Sequence, residues 1–129
     1  MNGFALDTNI VSAHLRGDLE VGARIKEHTR LYLPVTVMGE LFYGAYHTEH
    51  REKQLQRVRS FLPLAQTVHL DDEIAERYGM VKARLAKMGS LIPENDCWIA
   101  ATCLVHDFTL ATRDGHFDSV EGLRTVRWD

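Results

Sequence analysis

The stretch ENDCWIAATCLVHDFTLATRDGHF, residues 94–117, decides the fold. A helix is predicted from about Asn95 to His106, with Asp96 on the same stripe as Ile99, Ala100 and Cys103. Thr109-Leu110-Ala111-Thr112 follows as a short strand, and Asp114-Gly115 as a turn. Helix, strand and turn in that order predict one unit of an α/β sheet.

The rest of the chain repeats that alternation. Phe4-Ala5-Leu6 is a short buried-strand candidate, followed by a helix from about Thr8 that Gly17 ends. A second helix is expected over Leu19 to His28 and a strand over Leu31 to Val35. Helices are expected over Thr36 to Thr48 and over His50 to Leu62, with Pro63 just past the second. Thr67 to Leu70 reads as a strand. The clearest helix runs from Asp71 to Met88, where Ile74, Tyr78, Val81, Leu85 and Met88 recur at helical spacing. Arg124 to Trp128 closes the chain as a strand. The expectation is a three-layer α/β domain over residues 1–129, a central parallel sheet of about five short strands flanked by about six helices.

A chain of 129 residues fits one domain. Composition is globular, 45% hydrophobic and 26% charged, which excludes a disordered chain and a disulfide scaffold. The net charge of −3 excludes nucleic-acid binding by bulk charge, so any such contact must use local patches. Cys97 and Cys103 are six apart, pointing about 240° apart on a helix, so they neither bridge nor share a metal. Free cysteines suggest a reducing compartment. The N-terminal MNGFALDTN holds too short an apolar run for a signal peptide, and no run approaches the roughly 18 apolar residues of a membrane helix. A cytoplasmic location and no membrane partner are expected.

Four carboxylates stand out. Glu40 is the only ionisable Asp, Glu, Lys, Arg or His between Leu31 and Tyr46, on a stripe with Val37, Leu41, Gly44 and Ala45. An acid there must be paired, neutralised or bound to a metal. A local salt bridge or a snorkelling side chain would also account for it. Asp96 alone is explained by the helix macrodipole, Asp7 by an N-cap and Asp114 by a turn. Together they gain a different meaning. Asp7 and Asp114 follow predicted strands, and ligands of open parallel sheets bind beyond the strands' carboxyl ends. Glu40 and Asp96 lie near the starts of helices that begin at that same edge. Close carboxylate pairs repel by roughly 4 kcal/mol at 4 Å and an effective dielectric of about 20. Divalent cations relieve this, and an all-oxygen set suits Mg²⁺ or Mn²⁺, one or two ions, the chemistry of phosphodiester hydrolysis.

The segments LDTNIVSAHLRG (6–17), VTVMGELFYGA (35–45) and 94–117, in that order, resemble the PIN domain. Within it they look like VapC-type toxin nucleases of toxin–antitoxin pairs. The resemblance covers nearly the whole chain. It implies a parallel sheet flanked by helices, Mg²⁺- or Mn²⁺-dependent endoribonuclease activity on RNA, a homodimer, and a VapB-type antitoxin whose C-terminal segment blocks the acidic cleft. Position by position it assigns Asp7, Glu40, Asp96 and Asp114 as the catalytic and metal-binding acids. Asn9 would help hold Asp7 and the metal shell, and Thr112 would support a carboxylate or a water. Asp118 is the competing choice for the fourth acid.

RNA contacts are expected from Arg51, Lys53 and Arg57 in a stretch of net +3, from Lys82 and Arg84 in a stretch without acids, and from Arg113. Solvated helix faces explain the same charges. His47 and His50 are read as surface residues; His116, two after Asp114, could touch substrate, although a structural or exposed role is favoured, and Trp98 is read as core. Phe42, Tyr43 and Tyr46 exceed one apolar stripe, which suits a dimer or antitoxin surface. A receiver domain would need an acid pair after the first strand and a late lysine, and a haloacid-dehalogenase phosphatase would need DxD; LDTN provides neither. A non-catalytic RNA-processing or interaction module of the same fold is the alternative, and the intact acid set argues against it.

Overall fold

Two features of the first sixteen residues set the architecture: a buried strand too short to stand alone, and a cap that turns the chain straight into a helix. The computed structural model describes residues 3–28 and 30–128, so Met1 and Asn2 of the N-terminal run lie outside the described residues. The strand β1 (Phe4–Leu6) is followed by α1 (Thr8–Leu15) and α2 (Leu19–Glu27). Next come β2 (Leu31–Pro34), α3 (Val35–His47), α4 (Arg51–Phe61) and β3 (Gln66–Val68). The chain then forms α5 (Asp72–Lys87), α6 (Glu94–His106), β4 (Thr109–Ala111) and β5 (Arg124–Val126).

The sheet is parallel throughout, in the order β3-β2-β1-β4-β5. Strand order reverses at β1, which pairs with β2 through Phe4 and Leu31 and with β4 through Leu6 and Ala111. That reversal opens a crevice at the carboxyl ends of β1 and β4, the usual ligand position in such sheets. The expected α/β class, five strands and six α-helices are all present among the described residues. Ala5, Leu6, Leu33 and Leu110 are fully buried, as strands covered on both faces must be. Helices α5 and α6 pack on each other, with Tyr78 stacked on Trp98 at 3.9 Å between ring centroids. Cys97 and Cys103 are buried free thiols, and burial holds both above their ordinary pKa.

The element ends differ from expectation by a residue or two, for identifiable reasons. Val35 joins α3 rather than β2, because Pro34 ends the strand and caps the helix. Thr67 to Leu70 shortens to a strand ending at Val68, and His69 and Leu70 are exposed. Trp128 lies beyond β5, yet it is 2% exposed, stacked on His28 and packed against Phe4. Two 3-10 turns, Leu62–Leu64 and Gly115–Ser119, had no counterpart in the sequence pattern. One turn of backbone carries no periodicity to read. Gly44, expected on the buried stripe of α3, is exposed; the buried line is Val37, Leu41 and Ala45, with Glu40 at its edge.

Candidate active site

Asp7 follows β1 and is only 5% exposed. It caps α1, Oδ1 accepting from the Thr8 N–H at 2.8 Å. Its own N–H donates to the Ala111 carbonyl at 3.0 Å, tying it to the end of β4. Oδ2 accepts from the Thr112 hydroxyl at 2.7 Å. The cap explanation is correct for Oδ1, and Oδ2 is held separately by Thr112 at the carboxyl end of the sheet. Burial drives the Asp7 pKa up from 3.8 to about 6. The Thr112 and Thr8 hydrogen bonds oppose that rise, and the charges of Asp96 and Glu40 add to it. Those two acids, 89 and 33 residues away in sequence, thus lie close enough to Asp7 to repel its charge.

Glu40 comes from the second turn of α3. Its pKa is raised, chiefly by burial and then by Asp96, while Thr8 and Asn95 offset part of the rise. Glu40 Oε1 and the Thr8 hydroxyl are both buried with no close hydrogen-bond partner, yet they lie near enough for the hydroxyl to favour the charged carboxylate. The salt bridge that would have explained Glu40 structurally is not among those of the described residues. A buried carboxylate oxygen left unpaired costs stability, which either a proton or a bound cation relieves.

Asp96 stands in the first turn of α6, its side chain 13% exposed. Burial raises its pKa most, Asp114 raises it further, and His116 pulls it back. Asp114 caps the Gly115–Ser119 turn: Oδ1 accepts from the His116 N–H at 2.9 Å, and the Asp114 N–H donates to Thr112 Oγ1 at 3.0 Å. His116 Nδ1 lies 3.0 Å from both Asp96 Oδ2 and Asp114 Oδ2. The hydrogen bond to Asp96 leads in raising the His116 pKa above its ordinary value. His116, read from sequence as surface or structural, in fact touches two of the four acids. The only sequence signal was its position two residues after Asp114. Asp118 is exposed on the same turn and has no hydrogen bond or ion pair in common with the other three acids among the described residues, whereas Asp114 lies with Asp96 and His116.

The supporting residues divide. Thr112 holds Asp7 and the Asp114 backbone with one hydroxyl. Asn9 takes a different post from the expected one: its Oδ1 accepts from the Arg113 N–H at 3.2 Å, so it fixes the loop carrying Asp114 and makes no hydrogen bond to Asp7. The first turn of α1 simply faces that loop.

The basic candidates divide too. Arg113 donates through Nη2 to Asp18 Oδ2 at 2.9 Å and through Nε to the Trp128 carbonyl at 3.0 Å, which locks the loop to α2 and to the chain end. Lys82 pairs with Glu94 at 2.7 Å and Arg84 with Glu121 at 2.6 Å. Both pairs are exposed and worth little. Arg51 lies over the Tyr46 ring at 5.9 Å, and Lys53 is exposed on α4. Arg57 shares a cavity with one of the four acids, a space of about 230 Å³ that it lines together with Glu40, Ser12, Arg16 and Gln54. Arg16, at the end of α1, was missed in the sequence, where only its being the first cation after the DTN segment marked it. Substituting Arg113→Met is expected to lower the urea midpoint, because Asp18 and the Trp128 carbonyl lose their donor. Urea denaturation of the variant checks this; an unchanged midpoint would mean the Asp18 pair is idle.

The donor set fits a hard divalent cation. It is oxygen-rich, Glu40 Oε1 is buried with no close hydrogen-bond partner, and Asp7, Glu40 and Asp96 are all harder to ionise than in water, chiefly because burial strips their hydration and neighbouring acids add repulsion.

Comparison with known proteins agrees with this geometry. The PIN domain family model matches residues 4–123. Ribonuclease VapC2 of Haemophilus influenzae is 32% identical over 128 residues, 97% of each chain. The tRNA(fMet)-specific endonuclease VapC of Shigella flexneri is 29% identical over 132 residues, again 97% of each chain. Among solved structures, DNA-bound VapBC from Salmonella typhimurium contains a chain that superposes with a TM-score of 0.95 at 25% identity, covering 100% of both chains.

Proposed function

The chain belongs to the PIN-domain family, and from that premise we propose that it is an Mg²⁺- or Mn²⁺-dependent endoribonuclease, the toxin of a type II toxin–antitoxin pair. The observation that carries the reading is the meeting of Asp7, Glu40, Asp96 and Asp114 at the strand-order reversal, with three of the four held above their ordinary pKa and one oxygen unpaired.

These four side chains would hold one or two cations. When bound, a divalent cation supplies Lewis-acid charge that acidifies water and offsets charge on the scissile phosphate. The chain's own contribution is position. Thr112 and the Thr8 N–H orient both oxygens of Asp7, and Asn9 and Arg113 keep the Asp114 loop in place. No nucleophilic Ser, Cys or His is needed for in-line attack by water, and family resemblance gives 5′-phosphate and 3′-hydroxyl ends. Arg57 and Arg16, beside Glu40, are placed to receive a flanking phosphate.

The toxin reading brings a VapB-type antitoxin and a second copy of the chain as partners. Tyr43 and Tyr46, 67% and 50% exposed on the helix that carries Glu40, provide apolar surface for such a partner to cover. No described helix is long and apolar enough to cross a membrane, and RNA as substrate suits a cytoplasmic location.

The test is to incubate antitoxin-free protein with total RNA, with and without Mg²⁺ or Mn²⁺, and to map fragment ends. Discrete cuts that need metal and end in 5′-phosphate are expected. Cutting that persists in EDTA, or cyclic-phosphate ends, would sink the reading. Arg57→Ala should weaken RNA binding about tenfold and lower the salt slope of log K by roughly 1, the behaviour of one phosphate contact. Filter binding across a salt series checks this.

A further inference from the structure

We propose that His116 is itself a metal ligand, contributing Nδ1 beside Asp96 and Asp114, so that the centre has a mixed nitrogen and oxygen donor set and discriminates Mn²⁺ from Mg²⁺. The proposal rests on the metal-dependent nuclease reading and adds a donor to it.

The geometry is that of a coordination face. His116 Nδ1 is 3.0 Å from Asp96 Oδ2 and 3.0 Å from Asp114 Oδ2, and one donor atom from each of the three residues falls within 4.8 Å of the others. Adjacent ligands of an octahedral ion with bonds of about 2.1 Å are about 3.0 Å apart. Two of the three donor separations already have that value. The ring is also held in place from behind. Its backbone N–H is fixed by Asp114 Oδ1 at 2.9 Å, and Phe117, the next residue, is 1% exposed and anchors the turn. The imidazole side chain is 50% exposed, which leaves room on its open side for water or phosphate in the remaining positions.

In the metal-free protein the same 3.0 Å separations are hydrogen-bonding distances from Nδ1 to the two acids, and a bound cation would take the place of that proton. A nitrogen donor matters to selectivity. Carboxylates suit Mg²⁺ and Mn²⁺ alike, whereas imidazole adds affinity for later first-row ions and little for Mg²⁺.

The experiment is electron spin-echo envelope modulation on the Mn²⁺-loaded full chain, wild type against His116→Gln, with Mn²⁺ and Mg²⁺ titrated into both by calorimetry. The expected result is ¹⁴N modulation in the wild type that disappears in His116→Gln. Mn²⁺ affinity should fall at least about tenfold, since losing even an outer partner of a ligand costs that much, and Mg²⁺ affinity should fall less. Mn²⁺ bound without ¹⁴N modulation overturns the proposal and leaves the nuclease reading standing. Modulation that survives in His116→Gln also overturns it, because another nitrogen would be the ligand. Absence of any Mn²⁺ or Mg²⁺ uptake by the wild type overturns both. Near-UV circular dichroism of His116→Gln confirms that the fold is kept, and His116→Asn serves as a second variant.

Discussion

Asp96→Asn is expected to lower RNA cleavage by about a thousandfold or more, some 4 kcal/mol of barrier, with the fold unchanged. The amide matches the carboxylate in size, and the side chain is nearly enclosed at the head of α6, so packing is preserved. What disappears is a negative charge, together with one of the oxygens converging on His116 and Asp114. Asp7→Asn, Glu40→Gln and Asp114→Asn should act in the same direction. Asp118→Asn should stay within a few-fold of wild type, since Asp118 is exposed and outside the donor group. Single-turnover cleavage of an end-labelled RNA, alongside far-UV circular dichroism, measures this. Full activity in Asp96→Asn would remove the assignment.

Asp7→Asn should have a second effect of opposite sign: in EDTA it stabilises the protein. The folded state holds the Asp7 proton up to about pH 6, whereas the unfolded chain releases it near 3.8. Between those values the folded state binds more protons, so stability falls as pH rises through the window and levels off above it. Two pKa units at about 1.4 kcal/mol each give a penalty on the order of 3 kcal/mol at pH 7. Glu40 and Asp96 are raised as well and slope the same way. An asparagine has no proton to lose, and Thr112 can rotate its hydroxyl to match the amide. The variant should therefore gain about 2–3 kcal/mol over wild type at pH 7 and nothing at pH 4. Mg²⁺ should stabilise wild type and have much less effect on the variant. Urea midpoints at pH 4 to 8, with EDTA or Mg²⁺, test both statements. A wild-type midpoint that rises between pH 4 and 6 would contradict the sign.

These results depend on charges that arrive from distant parts of the chain. The helices were legible locally, because apolar residues on α5 recur every three or four positions and Asp71 and Asp18 announce helix starts through their caps. The strands were legible as apolar runs between helices. Glu40 betrayed itself as a lone charge in an apolar segment. Asp7 and Asp114 did not, since each also makes an ordinary local cap. Only their placement after strands, and family resemblance, raised them above that explanation.

The remaining features are long-range. The partner of Arg113 is Asp18, 95 residues earlier, and that of Asn9 is the Arg113 backbone, 104 residues later. Lys82 and Arg84 looked free in sequence and are paired across helix and loop. His116 meets Asp96 only because a one-turn 3-10 helix, too short to leave a period, aims its ring back at the head of α6. The sequence by itself determined which segments become helices and strands and which acids lack a local reason to be where they are, because periodicity and capping act within a few residues. The tertiary structure alone decided which cations are committed to structure, which side chains join the acids, and how far their pKa values rise, because burial and ion pairing depend on the order in which the strands assemble.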